Sequence, residues 1–416
     1  MRFWQGIGSR VMPKILPDFV PAKPTPWFIS AAQAIVQAEL ALSNRLQLAE
    51  ADLDIFRRLP KGAGVILASN HADETDPLVC LELSRRSRMR FISMCNREAF
   101  DENYGLAGLV LQRLGHFSVK RGTHDNLAKD YAIKTVQQGN DVLVIFPEGE
   151  IFYLNENVQP FHTGAVEICL QAIVEKRKAD PNWTAFILPM VIKYHYNQNI
   201  EKELDKRLAD MESRLMLKTS GKALVERLHA IQETLVEREE RSYSLAIDNK
   251  SDLAQKLQLT KESILSAVEK KHQDLNVSAQ GQTLDQVWQL EAELKELIDK
   301  QTNTSGRQEI EQDLASLAEA AQLASWRPSY YPANASYDRL AEGILKAERE
   351  LYRIKRPRQL ASRQVLVKLA EPINMGEHVG NYIQDPHAVR HNLTEQLHEQ
   401  IQALISLLTA SLPPGK

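Results

Sequence analysis

Gly64-Val-Ile-Leu-Ala68 runs straight into Ser69-Asn70-His71-Ala72-Asp73-Glu74-Thr75-Asp76-Pro77, and the reading of this passage decides the fold. A short apolar run bounded by glycine and polar turn residues reads as a strand buried on both faces. Pro77 suits the first turn of a helix, where its missing N–H costs nothing. His71 and Asp76 therefore fall on a strand-to-helix turn. Open α/β sheets bind ligands at the carboxyl ends of their strands, where such a turn lies. A His and an Asp held there can serve as a base and its orienter. The carboxylate accepts a hydrogen bond from Nδ1–H, fixes the tautomer and leaves Nε2 free to accept a proton from a hydroxyl. This is the pair of a serine hydrolase without its serine, so the hydroxyl would belong to a substrate and the reaction would be direct acyl transfer to an alcohol. H-x4-D alone is a weak signal, and a lone His after a strand is more often structural than catalytic.

Similar apolar runs recur downstream of this passage: Phe91-Ile-Ser-Met94, Phe117-Ser-Val119, Asp141-Val-Leu-Val-Ile-Phe146 and Ala185-Phe-Ile-Leu188. Helical stretches lie between them, at 77–86, 105–114, 126–138 and 164–176. Strand alternating with helix predicts an α/β fold, a mostly parallel sheet flanked by helices. Upstream, residues 1–55 hold a mixed basic and aromatic start, four prolines (Pro17, Pro21, Pro24, Pro26) and a helix expected over about 30–51. Downstream, residues 198–360 change texture. No proline occurs between Pro189 and Pro328, and apolar residues repeat in 4-3-4 steps, as at Leu224, Leu228, Ile231 and Leu235. That is one face of a helix each time. Five or six helices are expected, as a bundle or long hairpins. Thr219-Ser-Gly221, 276–281 and 303–306 are natural breaks, and Thr283 with Gln286 has capping-box spacing. Arg363-Gln-Val-Leu-Val-Lys-Leu369 then returns to strand alternation, and a last helix is expected over 386–412. A strand after so long a helical passage suggests a large all-helical insertion within one α/β domain made of residues 56–197 and 361–416. Two consecutive domains are the alternative.

Composition narrows the function. With Lys+Arg 51 against Asp+Glu 54, the net charge is -3, which argues against a nucleic-acid coat. Cys80, Cys95 and Cys169 form no CxxC pair, so neither a disulfide framework nor a structural zinc site is expected. No apolar run approaches the 18 or so residues that span a bilayer. Met1 to Lys14 does not read as a secretory signal. Trp4, Ile7, Val11, Met12 and Ile15, with Arg2, Arg10 and Lys14, would suit a helix lying in a headgroup layer, or one docked on the protein's own core.

Three further blocks strengthen the His–Asp turn. Gly115-His-Phe-Ser-Val-Lys-Arg-Gly122 sets Lys120 and Arg121 just past a short strand, where Arg121 would suit a phosphate bidentately. A solvated basic turn is the alternative. Val144-Ile-Phe-Pro-Glu-Gly-Glu150 ends an apolar strand on Glu148, a carboxylate, and Gly149, a bare backbone N–H that a ligand could approach. Ile187-Leu-Pro-Met-Val191 reads as a strand broken by Pro189, by itself a bend at a sheet edge. Arg85, Arg86, Arg88 and Arg90 form a basic cluster after the His–Asp helix, suited to phosphates or anionic headgroups, or simply to a helix C-terminus. Arg353, Lys355, Arg356 and Arg358 form another at the end of the helical passage.

In this order the four blocks resemble the glycerolipid acyltransferase family, the 1-acyl-glycerol-3-phosphate O-acyltransferases and their relatives. The N-H-x4-D block is matched by Asn70, His71 and Asp76. G-x-F-x-x-x-R is matched by Gly115, Phe117 and Arg121, F-P-E-G by residues 146 to 149, and the proline-centred strand by Pro189. The resemblance covers about residues 56–197. It implies a peripheral enzyme at the cytoplasmic face of a membrane, using acyl-CoA or acyl carrier protein as donor and a glycerolipid as acceptor. No resident cofactor, metal or nucleic acid is implied. His71 would be the general base and Asp76 its partner. Arg121 would grip an acceptor phosphate, aided by Lys120. Glu148 and Gly149 would shape the acceptor site, with backbone N–H groups near Gly149 facing the developing oxyanion. The family usually follows F-P-E-G with Thr or Ser and a basic residue. The acceptor that the resemblance implies first is 1-acyl-glycerol-3-phosphate, giving phosphatidate; Glu150 and Ile151 at those two positions motivate the alternative of another lysophospholipid or a neutral lipid alcohol. A reading from another class is a non-catalytic lipid-binding platform whose helical insertion recruits a protein partner.

Overall fold

The computed structural model describes residues 16–219, 221–243, 251–275, 283–300, 303–354 and 357–412. The elements run α1 (Pro26–Ser43), β1 (Asn44–Leu48), α2 (Glu50–Arg58), β2 (Gly64–Ser69), α3 (Asp76–Ser87), β3 (Arg90–Asn96), α4 (Leu106–Leu114) and β4 (His116–Val119). There follow α5 (Asn126–Gln138), β5 (Asp141–Ile145), α6 (Gly164–Lys176) and β6 (Ala185–His195). Six helices come next: α7 (Glu201–Leu215), α8 (Leu224–Ser242), α9 (Leu253–Lys271), α10 (Thr283–Lys300), α11 (Thr304–Ala324) and α12 (Tyr337–Tyr352). The chain closes with β7 (Arg363–Leu369), β8 (Ile373–Asn374), α13 (Val379–Gln384) and α14 (Pro386–Ser411).

All six residues of β2 are buried because helices cover both faces of the sheet. Val65 and Leu67 pack with α2 and α3, while Ile66 and Ala68 pack with α5, α6 and α14. The sheet order is β1-β7-β6-β2-β5-β3-β4, with β8 beside β6. The pairings are parallel except for β6 with β7 and β6 with β8. The fold is thus a mostly parallel α/β sheet into which six helices are inserted between neighbouring strands β6 and β7. Those helices share a core of their own, which includes Leu228, Ile231, Ile264, Leu294, Leu317 and Ile344. No helix among the described residues is long and apolar enough to cross a membrane.

Two expectations about the fold are corrected. The helix expected over 30–51 is α1 followed by strand β1 and the start of α2. Pro26 opens α1 earlier than its apolar pattern shows, and Asn44 to Leu48 leave the helix to pair in parallel with Arg363 to Val367. That partner lies some three hundred residues downstream, so local pattern cannot reveal it. Nor does Pro189 break a strand at a sheet edge. β6 runs through it, in the interior of the sheet, with Pro189 beside Ala68 of β2. On the other side β6 exchanges β8 (at Phe186 and Ile187) for β7 (from Met190) around Pro189. Its carbonyl still accepts Ala370 N–H at 2.9 Å, so the missing donor falls at the seam between two partners.

The insertion is anchored on the end of β6 by buried charge. Lys193, with no solvent exposure, pairs with Glu156 at 2.9 Å, and Glu156 also accepts from Arg339 of α12 at 2.6 Å. Asp338 of α12 accepts from the His195 ring at 2.8 Å and from Tyr196 N–H at 2.9 Å. Polar residues at 193–195 hide the strand from an apolar pattern. Those ion pairs are what let them be buried.

Candidate active site

β2 ends at Ser69, and the turn that follows delivers His71 beside the first residue of α3, Asp76. The His71 Nδ1 lies 2.8 Å from Asp76 Oδ2. A carboxylate only accepts, so Nδ1 carries the proton and Nε2 holds the lone pair. Among the described residues, no protein group hydrogen-bonds Nε2. The imidazole stacks on Phe146 with centroids 4.1 Å apart and planes at 17°, and its side chain keeps 14% exposure. The ring is therefore steadied on one edge and one face while its basic nitrogen stays accessible.

Asp76 is fully buried, and each of its oxygens is used. Oδ2 also accepts Asp73 N–H at 3.0 Å, and Oδ1 accepts the Tyr194 hydroxyl at 2.6 Å. Burial pushes the Asp76 carboxyl upward, and the bond from His71 opposes this. Burial and the nearby carboxylates push Tyr194 well above its ordinary value, so it stays a neutral donor. Asp73 is held below its ordinary value despite burial, because the Arg363 guanidinium pairs with it at 2.8 Å. Arg363 in turn lies over the Tyr194 ring, 4.3 Å from its centroid. Tyr194, Asp73 and Arg363 were not legible as site residues. Tyr194 and Arg363 are brought in by β6 and β7, and only the strand order reveals them; Asp73 stands on the His71–Asp76 turn itself, and its role shows only once Arg363 is placed beside it.

Glu148 acts on the loop rather than lining an open acceptor site. It is 4% exposed, and its two oxygens accept His71 N–H at 2.7 Å and Gln159 N–H at 2.9 Å. Burial pushes its carboxyl up to about 8 against those two bonds. Gly149 sits at φ 72°, and a Cβ there would press His162 and Trp288 at 3.1 Å. Its N–H donates to Phe146 O at 3.0 Å, which corrects the expectation of a free oxyanion donor at that residue.

Asn70, Gly115 and Pro189 do not face the reacting groups. Asn70 is 2% exposed and braces β6, donating to Ile192 O and accepting Ile192 N–H, both at 2.9 Å. Gly115 caps α4 at φ 101°, at the entry of β4 and so at the opposite end of the sheet from the site. Pro189 is buried within β6. The basic cluster after α3 is largely consumed internally. Arg85 and Arg86 pair with Glu82, and Arg90 pairs with Asp141.

Arg121 reaches the site at the β4 side, where Glu150 accepts its Nη1 at 2.5 Å and Gly149 O at 3.3 Å. Burial works against the Arg121 charge, but Glu150, Glu98 and Glu291 outweigh it and hold the guanidinium above its ordinary value. Lys120 points elsewhere, to Asp18 at 3.3 Å. The insertion also arrives here. Trp288 of α10 lies 5.2 Å under the Arg121 guanidinium, and Lys295 pairs with Glu98 and Glu291. The α10 backbone passes so close to Gly122 that no side chain would fit there.

No curated protein matches this chain. Residues 54–193 match the protein-family model described as Acyltransferase. That span begins before β2 and ends in β6, and so contains His71, Asp76, Arg121 and Glu148. A base held on a strand-end turn and a matching family over the same residues agree: residues 54–193 form an acyltransferase domain of the glycerolipid acyltransferase family.

Proposed function

We propose that the protein moves a fatty acyl group from a thioester donor, acyl-CoA or acyl carrier protein, to the hydroxyl of a glycerolipid acceptor at a membrane surface. The observation that carries this reading is the His71–Asp76 pair, whose Nε2 has no hydrogen-bond partner among the described residues. Nε2 takes the acceptor hydroxyl proton as the oxygen attacks the thioester carbonyl. The tetrahedral intermediate collapses with cleavage of the C–S bond, and the imidazolium returns its proton to the leaving thiolate. Asp76 stabilises the imidazolium throughout, as the carboxylate of a catalytic triad does.

The acceptor of first resort is 1-acyl-glycerol-3-phosphate, giving phosphatidate, with Arg121 on the phosphate. The Arg121–Glu150 pair favours a second choice. A guanidinium already matched by one carboxylate, with Glu98 and Glu291 nearby, is a poor partner for a phosphate dianion. A lysophospholipid phosphodiester or a neutral lipid alcohol suits it better. Membrane contact is supported by α1 and α4, which touch each other and expose Trp27, Ile35, Leu106, Leu109 and Val110. The amphipathic segment at 1–15 lies outside the described residues.

The test is acyl-CoA-dependent acylation over a side-by-side panel of lysophosphatidate, lysophosphatidylethanolamine, lysophosphatidylcholine and monoacylglycerol. His71→Ala should lower turnover by about 10²- to 10⁴-fold with unchanged circular dichroism. Wild-type turnover in that variant removes His71 from the mechanism. A strict requirement for a terminal phosphate rejects the second choice of acceptor.

A further inference from the structure

Between α1, the turn after β2, α7 and α12 lies a cavity of about 740 Å³, within the roughly 300–1,000 Å³ usual for small-molecule sites. Part of its wall is Asp73, Glu74 and Thr75, the residues between His71 and Asp76. The rest comes mainly from α1, the insertion and the chain returning from the insertion to β7.

The charges around this cavity are unequally matched. Of its acids, Asp73 pairs with Arg363 at 2.8 Å and Glu203 with Arg207 at 2.9 Å. Glu74 accepts the Tyr153 hydroxyl at 2.9 Å, and Glu39 is exposed on α1. Three cations have no carboxylate in ion-pair range among the described residues. Lys346, 2% exposed, donates to the Ser325 carbonyl at 2.5 Å. Arg349 lies over the Tyr153 ring, 4.5 Å from its centroid. The Arg358 side chain is exposed, and only its backbone carbonyl is engaged, by Arg207. Burial pushes Lys346 down to about 7, with Arg349 and Arg327 acting the same way against Glu342. A cavity walled by three unmatched cations has the chemistry of an anion receptor.

The sheet order supplies the direction. β2, which leads into the His71 turn, has β6 and then β7 on one side and β5, β3 and then β4 on the other. Arg121, Glu150 and Trp288 occupy the β4 side. The cavity occupies the β7 side, bounded by Arg363 at the start of β7. Two substrates that meet at one imidazole need separate approaches.

We propose that this insertion-walled cavity binds a phosphate-bearing ligand, the phosphorylated end of the acyl donor, with Lys346, Arg349 and Arg358 as its cations. The proposal rests on the thioester-donor reading above for the identity of the ligand, but not for the existence of the site. A free phosphate compound shares the same chemistry and is the other source.

The test uses the full chain and two probes, inorganic pyrophosphate and adenosine 3′,5′-bisphosphate, the nucleotide end of CoA, followed by titration calorimetry. Both should bind, and the double variant Arg349→Gln/Arg358→Gln should weaken each by at least about tenfold. In a second arm the same variant should raise KM for acyl-CoA about tenfold with kcat within twofold. Turnover of an acyl-pantetheine thioester, which has no phosphate, should stay unchanged and shows that the site remains folded. Probe binding lost in the variant with an unchanged KM for acyl-CoA supports the cavity and assigns it to a free phosphate compound. Failure of both probes to bind the wild-type chain, or equal binding by the variant, overturns the proposal. Calorimetry needs no turnover, so a chain that binds the probes but transfers no acyl group refutes the acyl-transfer reading and leaves the site standing.

Discussion

Tyr194→Phe isolates the support beneath the catalytic base. The substitution keeps the ring over which Arg363 lies and removes only the hydroxyl that Asp76 Oδ1 accepts at 2.6 Å. Asp76 Oδ2 keeps both its donors, His71 Nδ1 and Asp73 N–H. One oxygen of a fully buried carboxylate is left without its donor. A hydrogen bond to a charged group is worth about 1.5–3 kcal/mol, which sets a ceiling of roughly 10- to 150-fold on the rate. The bond exists in the ground state as well, and only its strengthening as the imidazolium forms enters kcat. We therefore expect kcat to fall by about tenfold, near the lower end of that range, with KM for both substrates held within twofold. Unfolding in urea should show a loss of about 1–3 kcal/mol, because the orphaned oxygen is buried in every folded state. Steady-state kinetics and urea unfolding on the same preparation give both numbers. A variant that loses stability yet turns over at the wild-type rate would refute the argument that Tyr194 holds the carboxylate for catalysis.

Asn70→Ala should destabilise the fold by roughly 2–5 kcal/mol, since it strands both Ile192 N–H and Ile192 O in the interior. A urea midpoint unmoved by that change would show that β6 does not need the brace. Glu148→Gln turns an amide N–H₂ toward a backbone N–H, so kcat should drop while acceptor KM holds; a change confined to KM would instead place Glu148 against the acceptor. Glu150→Thr frees Arg121, and the ratio of lysophosphatidate to monoacylglycerol turnover should rise severalfold; an unchanged ratio would exclude Glu150 as a determinant of acceptor choice. Burial lifts Glu319 and Glu342 to about 8, so the folded chain retains protons that the unfolded chain releases near pH 4.5. Their contribution is fully present below that pH and is lost as pH rises toward 8, by about 1.4 kcal/mol per pH unit for each group that keeps its proton. The melting temperature should therefore fall between pH 5.5 and 7, less steeply in Glu342→Gln; equal slopes would contradict the burial argument.

Local chemistry made much of the sheet legible. β2 and β5 are short, apolar apart from Ser69 and Asp141 at their ends, and bounded by turn residues, and the His71–Asp76 turn lies where a strand hands over to a helix with proline in its first turn. What stayed hidden depends on distant pairing. Asn44 to Leu48 look helical until β7 is present to pair with them, and Lys193 to His195 carry no apolar signal for the strand that Glu156 and Asp338 let them extend by matching their charge. Motif spacing likewise named Asn70, Gly115 and Pro189 without showing that they act on the backbone. It missed Tyr194 and Arg363, whose side chains hold the dyad from strands far along the chain. The role of Trp288 was out of reach for the same reason, since nothing in a helical stripe tells which sheet edge the helix will meet.

The two residues that steady the dyad from outside its own turn, Tyr194 and Arg363, stand on opposite sides of the six-helix excursion. Contacts close in sequence form ahead of remote ones, and a chain made from its N-terminus presents them in that order. A nascent polypeptide halted before residue 363 would already carry imidazole and carboxylate but would have no guanidinium to fix Asp73. Acquisition of catalytic competence is thereby deferred until the helical unit has been synthesised and its exit strand has docked.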